Sequence, residues 1–440
     1  MSRYFYITTM GCQMNEYDSD YLGQVLVNSN FLPTDNPKNA DLILINTCTV
    51  RAKAEQKAFS LLGRMISLKK RRPNLILGLT GCIAQQEGPN LMKRFPELDL
   101  VLGTREIGRI EELLERLYAG REKIVATDID LKPPSPIESN GYFKGRVKSY
   151  ISIMEGCNNF CSYCIVPYVR GREVSRPPEE ILREAEYLIS QGVKEITLLG
   201  QNVNSYLWEK GFRFPFLLGK LSQIDGLARM RFTTSHPKDL SDNLIRCFAE
   251  LNNLCPHIHL PLQAGSNKIL KLMNRGYTRE KYMELVNKLR EARPDIAITS
   301  DVMVGFPQES DEDFQRTLDL MRKIGFDSLY SFKYSDRKGT LAEEMHGKIG
   351  EAEKSSRLTA LQQLQKDITL KKNTRLEGTE VEILVEGQSK RGGQLTGRTG
   401  TNKIVNFTHN NSMIGDLIKV RIKRSCANSL WGEFIIKSNS

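Results

Sequence analysis

Several features that define other protein classes are missing from this sequence of 440 residues. No apolar run approaches the ~18 residues that a membrane-spanning helix needs. The first residues lead straight into a strand pattern, without the architecture of a signal peptide. Internal repeats and low-complexity tracts are absent as well. We therefore expect a cytoplasmic protein that has no membrane segment and whose fold is not built from repeats.

Acidic residues are outnumbered, because 52 Asp and Glu stand against 63 Lys and Arg, which gives a formal net charge of +11. This excess is compatible with a polyanionic partner such as nucleic acid, although many soluble proteins are also mildly basic. Nine cysteines lie at scattered positions. In a reducing compartment such cysteines indicate metal binding or catalysis and not disulfides. The length predicts about three domains.

Three of the cysteines form the most informative motif. Cys157, Cys161 and Cys164 have the spacing C-x3-C-x2-C, which suits three corners of an iron–sulfur cube and leaves the fourth iron without a protein ligand. An iron in that state can bind and activate another molecule. The alternative is a zinc knuckle, but a zinc site needs a second Cys or His pair downstream, and none follows at a suitable spacing.

The first part of the sequence, 1–130, alternates apolar and amphipathic segments. Strand-like runs lie at 4–9, 42–46, 75–79 and 98–103, and helical stretches at 16–29 and 51–70. This βαβα rhythm predicts an α/β domain with an open parallel sheet. The polar, Pro-rich segment that follows, 131–142, cannot form regular structure and is predicted to be a linker.

The central part, 143–375, continues the alternation with six candidate strands, and a helical stretch follows each of the first five. The strands are 150–154, 195–199, 230–235, 257–263, 297–304 and 328–334, and the helices include 178–191 and 279–291. Six βα units in place of eight predict an incomplete, laterally open barrel, in which function gathers at the carboxyl ends of the strands. A helical run over 351–375 closes the domain. His257 and His259 share one strand face, and we interpret them as interior packing or polar lining.

The last part, 376–440, changes to short β-branched strands with Gly-rich turns, which predicts a small all-β barrel. Lys419, Arg421 and Lys423 alternate with Val420 and Ile422, so on a strand three cations share one face. Basic strands on a small barrel can follow a phosphate backbone. The alternative is a solvated strand face, because any half-buried strand alternates in this way.

A second cysteine set lies in the first part of the chain. Cys12, Cys48 and Cys82 each follow a predicted parallel strand, and the carboxyl ends of such strands form the binding edge of an open α/β sheet. The three thiols are therefore expected to converge and to hold a second cluster with one open iron. The alternative is three unrelated buried thiols. The remaining cysteines match no such pattern and are predicted to be packing residues: Cys247, Cys255 and Cys426.

Five segments of the sequence together resemble the radical S-adenosylmethionine methylthiotransferases. They are GCQMN at 11–15, NTC at 46–48, TGC at 80–82, the segment 155–177, and GQNVNSY at 200–206. The resemblance covers essentially the whole chain, in the family order of methylthiotransferase domain, radical domain and C-terminal TRAM domain. The six-cysteine pattern shows no departure. Segments 11–15 and 200–206 are most similar to the branch that acts on isopentenyladenosine in tRNA.

The resemblance implies two [4Fe–4S] clusters and S-adenosylmethionine as cofactors. The cluster on the C-x3-C-x2-C motif would cleave S-adenosylmethionine to methionine and a 5′-deoxyadenosyl radical. The cluster on Cys12, Cys48 and Cys82 would carry the sulfur that is inserted. Two molecules of S-adenosylmethionine would be used per turnover, one to methylate that sulfur and one to generate the radical that abstracts hydrogen from C2 of the adenosine. Both clusters must then face a shared cavity.

The resemblance also implies roles for four residues around S-adenosylmethionine. Tyr163 is similar to an aromatic residue near the adenine, and Gln201 to the position that receives the amino group. Ser235 and Gly305 would line the remaining cofactor surface. The alternative for each of the four is ordinary loop or turn chemistry, because a position at a strand end raises the expectation of a role without fixing it.

The implied substrate is N6-isopentenyladenosine at position 37, in the anticodon loop of tRNA, and the TRAM-like barrel favours RNA as the partner of Lys419, Arg421 and Lys423. A low-potential electron donor such as a flavodoxin or ferredoxin and a donor of sulfur would be further partners. One alternative is a sister enzyme that acts on threonylcarbamoyl-adenosine or on a ribosomal protein aspartate. Another is a non-catalytic iron–sulfur RNA-binding protein, which would not explain two sets of three cysteines.

Overall fold

The computed structural model describes residues 3–49, 52–120, 122–138, 141–389, 392–408 and 413–435, with all of their side chains except those of 52–54 and 210. The predicted helix start Arg51 and the linker residues 139–140 lie outside these ranges. Within the described ranges, every helix is too short or too polar to cross a lipid bilayer.

The N-terminal domain is a six-stranded, fully parallel sheet with helices on both faces. Its strands are β1 (Arg3–Met10), β2 (Phe31–Pro33), β3 (Leu42–Thr47), β4 (Ile76–Gly81), β5 (Leu100–Leu102) and β6 (Ile124–Ala126). Its helices are α1 (Gln13–Asn28), α2 (Ala52–Arg71), α3 (Cys82–Glu87), α4 (Pro89–Arg94) and α5 (Ile110–Gly120). The predicted open parallel α/β sheet is confirmed.

The strand order β2-β1-β3-β4-β5-β6 reverses direction between β1 and β3. A crevice opens at such a reversal, and open α/β sheets bind their ligands there, outside the carboxyl ends of the strands. Strands β3 and β4 are buried along their whole length, because α1 and α5 cover one face of the sheet and α2, α3 and α4 cover the other. The central part of the sheet is thus inaccessible from either face, and the loops that follow β3 and β4 are the parts nearest to it that can bind a ligand.

The central domain contains two three-stranded parallel sheets, ordered β7-β10-β13 and β14-β15-β16. Its strands are β7 (Lys148–Ser152), β8 (Met154–Glu155), β9 (Val174–Ser175), β10 (Glu195–Leu199), β11 (Leu207–Trp208), β12 (Phe212–Arg213), β13 (Arg229–Phe232), β14 (His257–His259), β15 (Ala297–Val304) and β16 (Ser328–Lys333). Its helices are α6 (Val166–Val169), α7 (Pro178–Ser190), α8 (Phe214–Ser222), α9 (Asp242–Glu250), α10 (Asn267–Leu272), α11 (Arg279–Ala292), α12 (Asp311–Ile324) and α13 (Glu351–Thr374).

The two sheets form the predicted partial barrel. They meet through a parallel bridge between Met230 and Leu254, and the six strands of the two sheets follow one another in chain order. Alternate residues such as Ile258 and Ile298 pack against the surrounding helices in the main core. The opposite face is polar, since the rings of His257 and His259 both bond the hydroxyl of Thr299, at 3.1 and 3.0 Å. The two histidines are thus polar lining, as expected.

The C-terminal domain is the predicted small all-β barrel, closed in the order β17-β18-β19-β21-β20. Its strands are β17 (Glu380–Gln388), β18 (Leu395–Thr399), β19 (Ile404–Phe407), β20 (Leu417–Ser425) and β21 (Leu430–Phe434). The barrel sits against the amino ends of the central strands. Arg231 donates to the carbonyls of Thr399 and Gly400, both at 2.8 Å, and Lys148 pairs with Glu386 at 3.0 Å. The C-terminal barrel therefore leaves the carboxyl ends of the central strands uncovered.

Candidate active site

The loop that carries Cys157 is fixed by the glycine before it. Gly156 has a φ of +81°, and a Cβ atom there would lie 2.0 Å from the carbonyl oxygen of Arg172, so only glycine fits. The N–H of Cys157 donates to the carbonyl of Gly171 at 3.1 Å. The amide oxygen of Gln201, after β10, accepts from the N–H of Gly156. The loop therefore starts at a fixed position at the carboxyl end of the central sheet.

The other two cysteines of the motif lie in a turn that is anchored from the opposite side. The N–H of Cys164 donates to the carbonyl of Cys161 at 2.9 Å, and the N–H of Ser162 donates to the carbonyl of Met273 at 3.1 Å. Burial, and then the neighbouring Cys161, raises the pKa of Cys164 to about 12. Burial also raises the pKa of Cys157. Metal binding would convert such neutral thiols to thiolates, so binding releases protons.

The second cysteine set lies at the crevice of the N-terminal sheet. Cys12 immediately precedes α1, Cys48 immediately follows β3, and Cys82 is the first residue of α3. A hydrogen bond with the Cys48 thiol is the main cause that lowers the pKa of Cys12 to about 6. Burial raises the pKa of Cys82. The charge of Arg170 acts on both Cys12 and Cys82, so the three thiols share one neighbourhood.

Two buried asparagines and a glycine tie the three cysteine loops together. The Oδ1 atom of Asn15 accepts from the N–H of Cys12 at 3.2 Å and from its thiol at 3.4 Å. The Nδ2 atom of Asn15 donates to Oδ1 of Asn46 at 3.0 Å, and Asn46 donates back to the Asn15 carbonyl at 2.8 Å. Gly81 has a φ of +92°, and a Cβ there would lie 2.3 Å from Asn46 Oδ1. The spacing of the loops is therefore set by specific contacts.

A buried ionic network joins the two cysteine sets. Arg170, which follows α6, pairs with Asp18 of α1 at 2.5 Å and lies 3.9 Å from Glu155, which directly precedes Gly156. Arg105 of the N-terminal domain lies 3.3 Å from Glu155. All four charged side chains are at most 3% exposed. The two domains are thus joined by charges that are almost fully shielded from water.

The start of α1 packs onto the barrel at the carboxyl end of its strands. Met14 and Tyr17 form a small buried cluster with Leu199, the last residue of β10. The side-chain oxygen of Gln13 accepts from the hydroxyl of Thr233 at 3.3 Å. Since Cys12 adjoins this segment, the second cysteine set lies beside the barrel opening.

Unpartnered polar atoms collect at the carboxyl ends of β10, β13 and β14. Five side chains there have a buried atom with no hydrogen-bond partner among the described residues: Asn202 Oδ1, Asn204 Oδ1, Ser235 Oγ, His236 Nε2 and Gln263 Oε1. Burial lowers the pKa of His236 to about 2, and its Nδ1 accepts from the N–H of Lys238, so Nε2 carries the hydrogen. Buried polar groups are normally paired. We call this set the polar ring, and it has the donors and acceptors that a polar ligand needs.

Of the four residues predicted to surround S-adenosylmethionine, Gln201 and Ser235 have been placed above. The ring of Tyr163 packs edge-on against Phe306, with centroids 6.5 Å apart. Gly305 has a φ of +71°, and a Cβ there would lie 2.1 Å from Cγ of Lys354. Its N–H donates to the Glu309 carboxylate at 2.6 Å. Backbone conformation and packing therefore account for the glycine, and its role toward the cofactor stays a prediction.

The donor chemistry of both cysteine sets, three thiols each, suits an iron–sulfur cube. Among the described residues, no three His, Cys, Asp or Glu side chains converge on a single metal ion. A cube does not require such convergence, because each cysteine binds a different iron. A zinc knuckle does require four ligands around one point. Each set offers three sulfur donors, which is the ligand number that leaves one iron open.

Comparison with known proteins matches all three domains. Residues 4–103 match the Uncharacterized protein family UPF0004, residues 151–321 match the Radical SAM superfamily, and residues 374–435 match the TRAM domain. The tRNA-2-methylthio-N(6)-dimethylallyladenosine synthase of Syntrophus aciditrophicus is 51% identical over 98% of this chain and 95% of its own length. The synthase of that name from Geobacter metallireducens is 50% identical, over 98% of both chains. The chain belongs to this synthase family.

Solved structures that resemble the fold are distant in sequence. The radical S-adenosylmethionine methyltransferase TsrM from Kitasatospora setae, with cobalamin and a [4Fe-4S] cluster bound, has a TM-score of 0.55 at 16% identity. That match covers 76% of this chain and 75% of TsrM. The cobalamin-dependent S-adenosylmethionine radical enzyme OxsB has a TM-score of 0.51 at 12% identity, over 83% of this chain and 56% of OxsB. These likenesses support the fold alone.

The cationic strand face of this family member lies on the C-terminal barrel. Along β20, Lys419, Arg421 and Lys423 are exposed and the two apolar residues between them are buried. Two of the cations have acidic neighbours, because Arg421 pairs with Glu380 at 2.7 Å and Lys423 pairs with Glu433 at 3.0 Å. Exposed pairs of this kind contribute only about 0–1 kcal/mol, so a phosphate can displace the carboxylates. Contact with RNA stays a prediction.

Sequence reasoning missed the residues that connect the two cysteine sets. Asn15 and Asn46 stood inside segments that carried the family resemblance, but nothing in the sequence says that their amides bond each other. Asp18 and Arg170 are 152 residues apart along the chain. Nothing in the local sequence marks this pair, because Asp18 stands beside Glu16 and Asp20, and Arg170 stands beside Arg172 and Glu173.

Proposed function

We propose that this chain converts N6-isopentenyladenosine at position 37 of tRNA to its 2-methylthio derivative, with two [4Fe–4S] clusters and two molecules of S-adenosylmethionine per turnover. One observation carries the proposal: two separate sets of three thiols lie on the two sides of a single buried interface at the barrel opening. A reaction that joins a sulfur source to a carbon radical needs both groups within reach of one substrate atom.

Some side chains of the site bind the cluster or the cofactor, and others hold the binding residues in position. Cys157, Cys161 and Cys164 hold the cluster that, when bound, supplies one-electron cleavage of S-adenosylmethionine. The polar ring, defined above, provides one N–H donor and several oxygens for the polar groups of that cofactor. Tyr163 and Gly305 would line the rest of its surface. Gln201 holds the cluster loop through the N–H of Gly156. The start of α1, where Met14 and Tyr17 pack on Leu199, fixes the position of Cys12 relative to the barrel.

Cys12, Cys48 and Cys82 would hold the cluster that provides the sulfur, and the lowered pKa of Cys12 favours its thiolate at neutral pH. The anticodon loop of tRNA is the proposed partner, and the cytoplasm is the proposed compartment. A flavodoxin or ferredoxin would donate electrons, and a separate donor would replenish sulfur. We place the domain boundaries at 1–130, 143–375 and 376–440, with a linker over 131–142.

The activity can be tested by mass spectrometry of tRNA nucleosides from cells that lack the gene. We expect the 2-methylthio nucleoside to disappear, the isopentenyladenosine precursor to accumulate, and a plasmid copy to restore the product. A chain with Cys426 replaced by Ala serves as the control, because that cysteine is exposed and remote from both sets, and it should complement fully. If the genome has no second such gene, an unchanged level of product in the deletion strain would contradict the proposed activity.

The cationic strand face predicts a change in the salt dependence of tRNA binding. Replacing Lys419, Arg421 and Lys423 by Gln removes up to three phosphate contacts. The slope of log affinity against log salt should become shallower by up to ~2–3 units, because fewer counterions are released on binding. Cleavage of S-adenosylmethionine without RNA should not change, since the cofactor site lies at the other end of the central barrel.

A matched variant separates this effect from the loss of net charge. Lys281, Arg316 and Arg322 are three exposed cations on α11 and α12, on the outside of the central barrel, and their replacement by Gln lowers the net charge equally. That control should keep the slope of the unaltered protein. Equal slopes for all three proteins would show that the β20 face is merely solvated.

A further inference from the structure

Arg275 donates a hydrogen bond to one of the sulfurs of the C-x3-C-x2-C motif. The residue lies in the turn between α10 and α11 and is 5% exposed. Its Nη1 atom is 3.2 Å from Sγ of Cys161. Its Nε atom donates to the hydroxyl of Tyr277 and its Nη2 atom to the carbonyl of Pro261, both at 3.2 Å. The guanidinium is thus held rigidly, with one edge facing the cysteine loop.

The charge of Arg275 has no carboxylate to balance it. Seven arginines of the described residues are buried, and six of them pair with Asp or Glu: Arg105, Arg170, Arg176, Arg229, Arg231 and Arg357. For Arg275, the described part of the chain offers no carboxylate within ion-pair distance, and its neighbours are two phenols, a carbonyl and a thiol. A buried cation without an anion costs several kcal/mol. An anion therefore belongs beside it in the assembled protein.

We propose that Arg275 is the counter-charge of the cluster held by Cys157, Cys161 and Cys164, and that its hydrogen bond to the Cys161 sulfur raises the reduction potential of that cluster. The proposal rests on the proposed function, because it requires a cluster at this motif. Hydrogen bonds to ligand sulfurs and nearby positive charge favour the reduced state, which carries one more negative charge. The electron comes from the external reductant, and Arg275 stays protonated throughout. Arg275 is therefore a positioning residue.

The test is potentiometry of the reconstituted holoenzyme without tRNA, followed by electron paramagnetic resonance of both clusters. In Arg275→Gln, at one fixed applied potential, the reduced-to-oxidised ratio of the radical cluster should fall about tenfold, a shift of about 59 mV for a one-electron couple. The potential of the cluster on Cys12, Cys48 and Cys82 should not move and serves as the internal reference. Arg275→Lys, which keeps the charge, should recover part of the shift.

Tyr277→Phe is the matched structural control, because it removes a hydrogen bond from the same guanidinium and leaves the charge in place. Its radical cluster should keep the potential of the unaltered protein. An unchanged potential in Arg275→Gln would overturn the proposal. Equal shifts in Arg275→Gln and Tyr277→Phe would also overturn it, because packing of the turn would then be the cause.

If Arg275→Gln fails to assemble the cluster, a measurement on the unaltered protein tests whether Arg275 contacts the cluster. The protein is labelled with ¹⁵N-arginine and its clusters are reduced. The radical cluster is recognised because its signal changes on addition of S-adenosylmethionine. Pulsed electron paramagnetic resonance of that signal should show coupling to a guanidinium nitrogen. Absence of that coupling would refute the contact. The nucleoside assay is independent of these readouts, so failure of the proposed function and failure of this inference are distinguishable.

Discussion

Replacing Cys157, Cys161 and Cys164 by Ala is expected to abolish 5′-deoxyadenosine formation and to leave one reconstituted cluster per chain. Each cysteine set supplies its own ligands from its own domain, so the loss of one set leaves the other complete. Iron and sulfide content, electron paramagnetic resonance and a deoxyadenosine assay measure the result. A variant that binds no iron would contradict the two-cluster assignment.

The converse variant separates the two chemistries. With Cys12, Cys48 and Cys82 replaced by Ala, cleavage of S-adenosylmethionine should persist while the methylthio product disappears. Product from this variant would rule out the N-terminal cluster as the sulfur source. The matched control replaces the three cysteines outside both sets, and it should keep both clusters and both activities: Cys247, Cys255 and Cys426.

Removing the Arg170 side chain is expected to destabilise the protein and to loosen the N-terminal cluster. Arg170→Met leaves Asp18 and Glu155 as buried charges that have lost their shared partner. Breaking a buried pair in this way costs about 3–5 kcal/mol. Denaturant unfolding should show that loss. Iron titration should show lower occupancy of the set that contains Cys82, because the Arg170 charge acts on that thiol.

Two further variants calibrate the Arg170 result. Asp242→Asn breaks an exposed pair with Lys288, 2.9 Å apart, and should lower the free energy of unfolding far less than Arg170→Met, because solvent screens exposed charges. Combining Arg170→Met with Asp18→Leu removes both members of the Arg170–Asp18 pair, leaves Glu155 beside Arg105, and should recover part of the lost stability. If Arg170→Met is no more damaging than Asp242→Asn, the network does not hold the domains together.

The sequence predicted best where the deciding interactions are local. The long strands β10 and β15 were placed at their observed bounds, because their apolar runs are bounded by turn residues. Strands β2 and β6 were missed, since each has three residues and β2 ends in Pro33, which pattern reading assigns to a loop. Both lie at edges of the sheet, where pairing with a longer neighbour stabilises segments that have little strand propensity of their own.

The sequence alone determined which residues were predicted to bind the two clusters. The spacing within the short stretch Cys157–Cys164 indicates one ligand set. The rule that loops after parallel strands meet at one edge of a sheet indicates the other. Only the tertiary structure decided which groups face each other across the chain. It placed Cys12 and Cys48 at the reversal of strand order, and it paired Asp18 with Arg170. It also left Arg275 without a carboxylate. Such pairings depend on the packing of whole domains, and no local pattern encodes them.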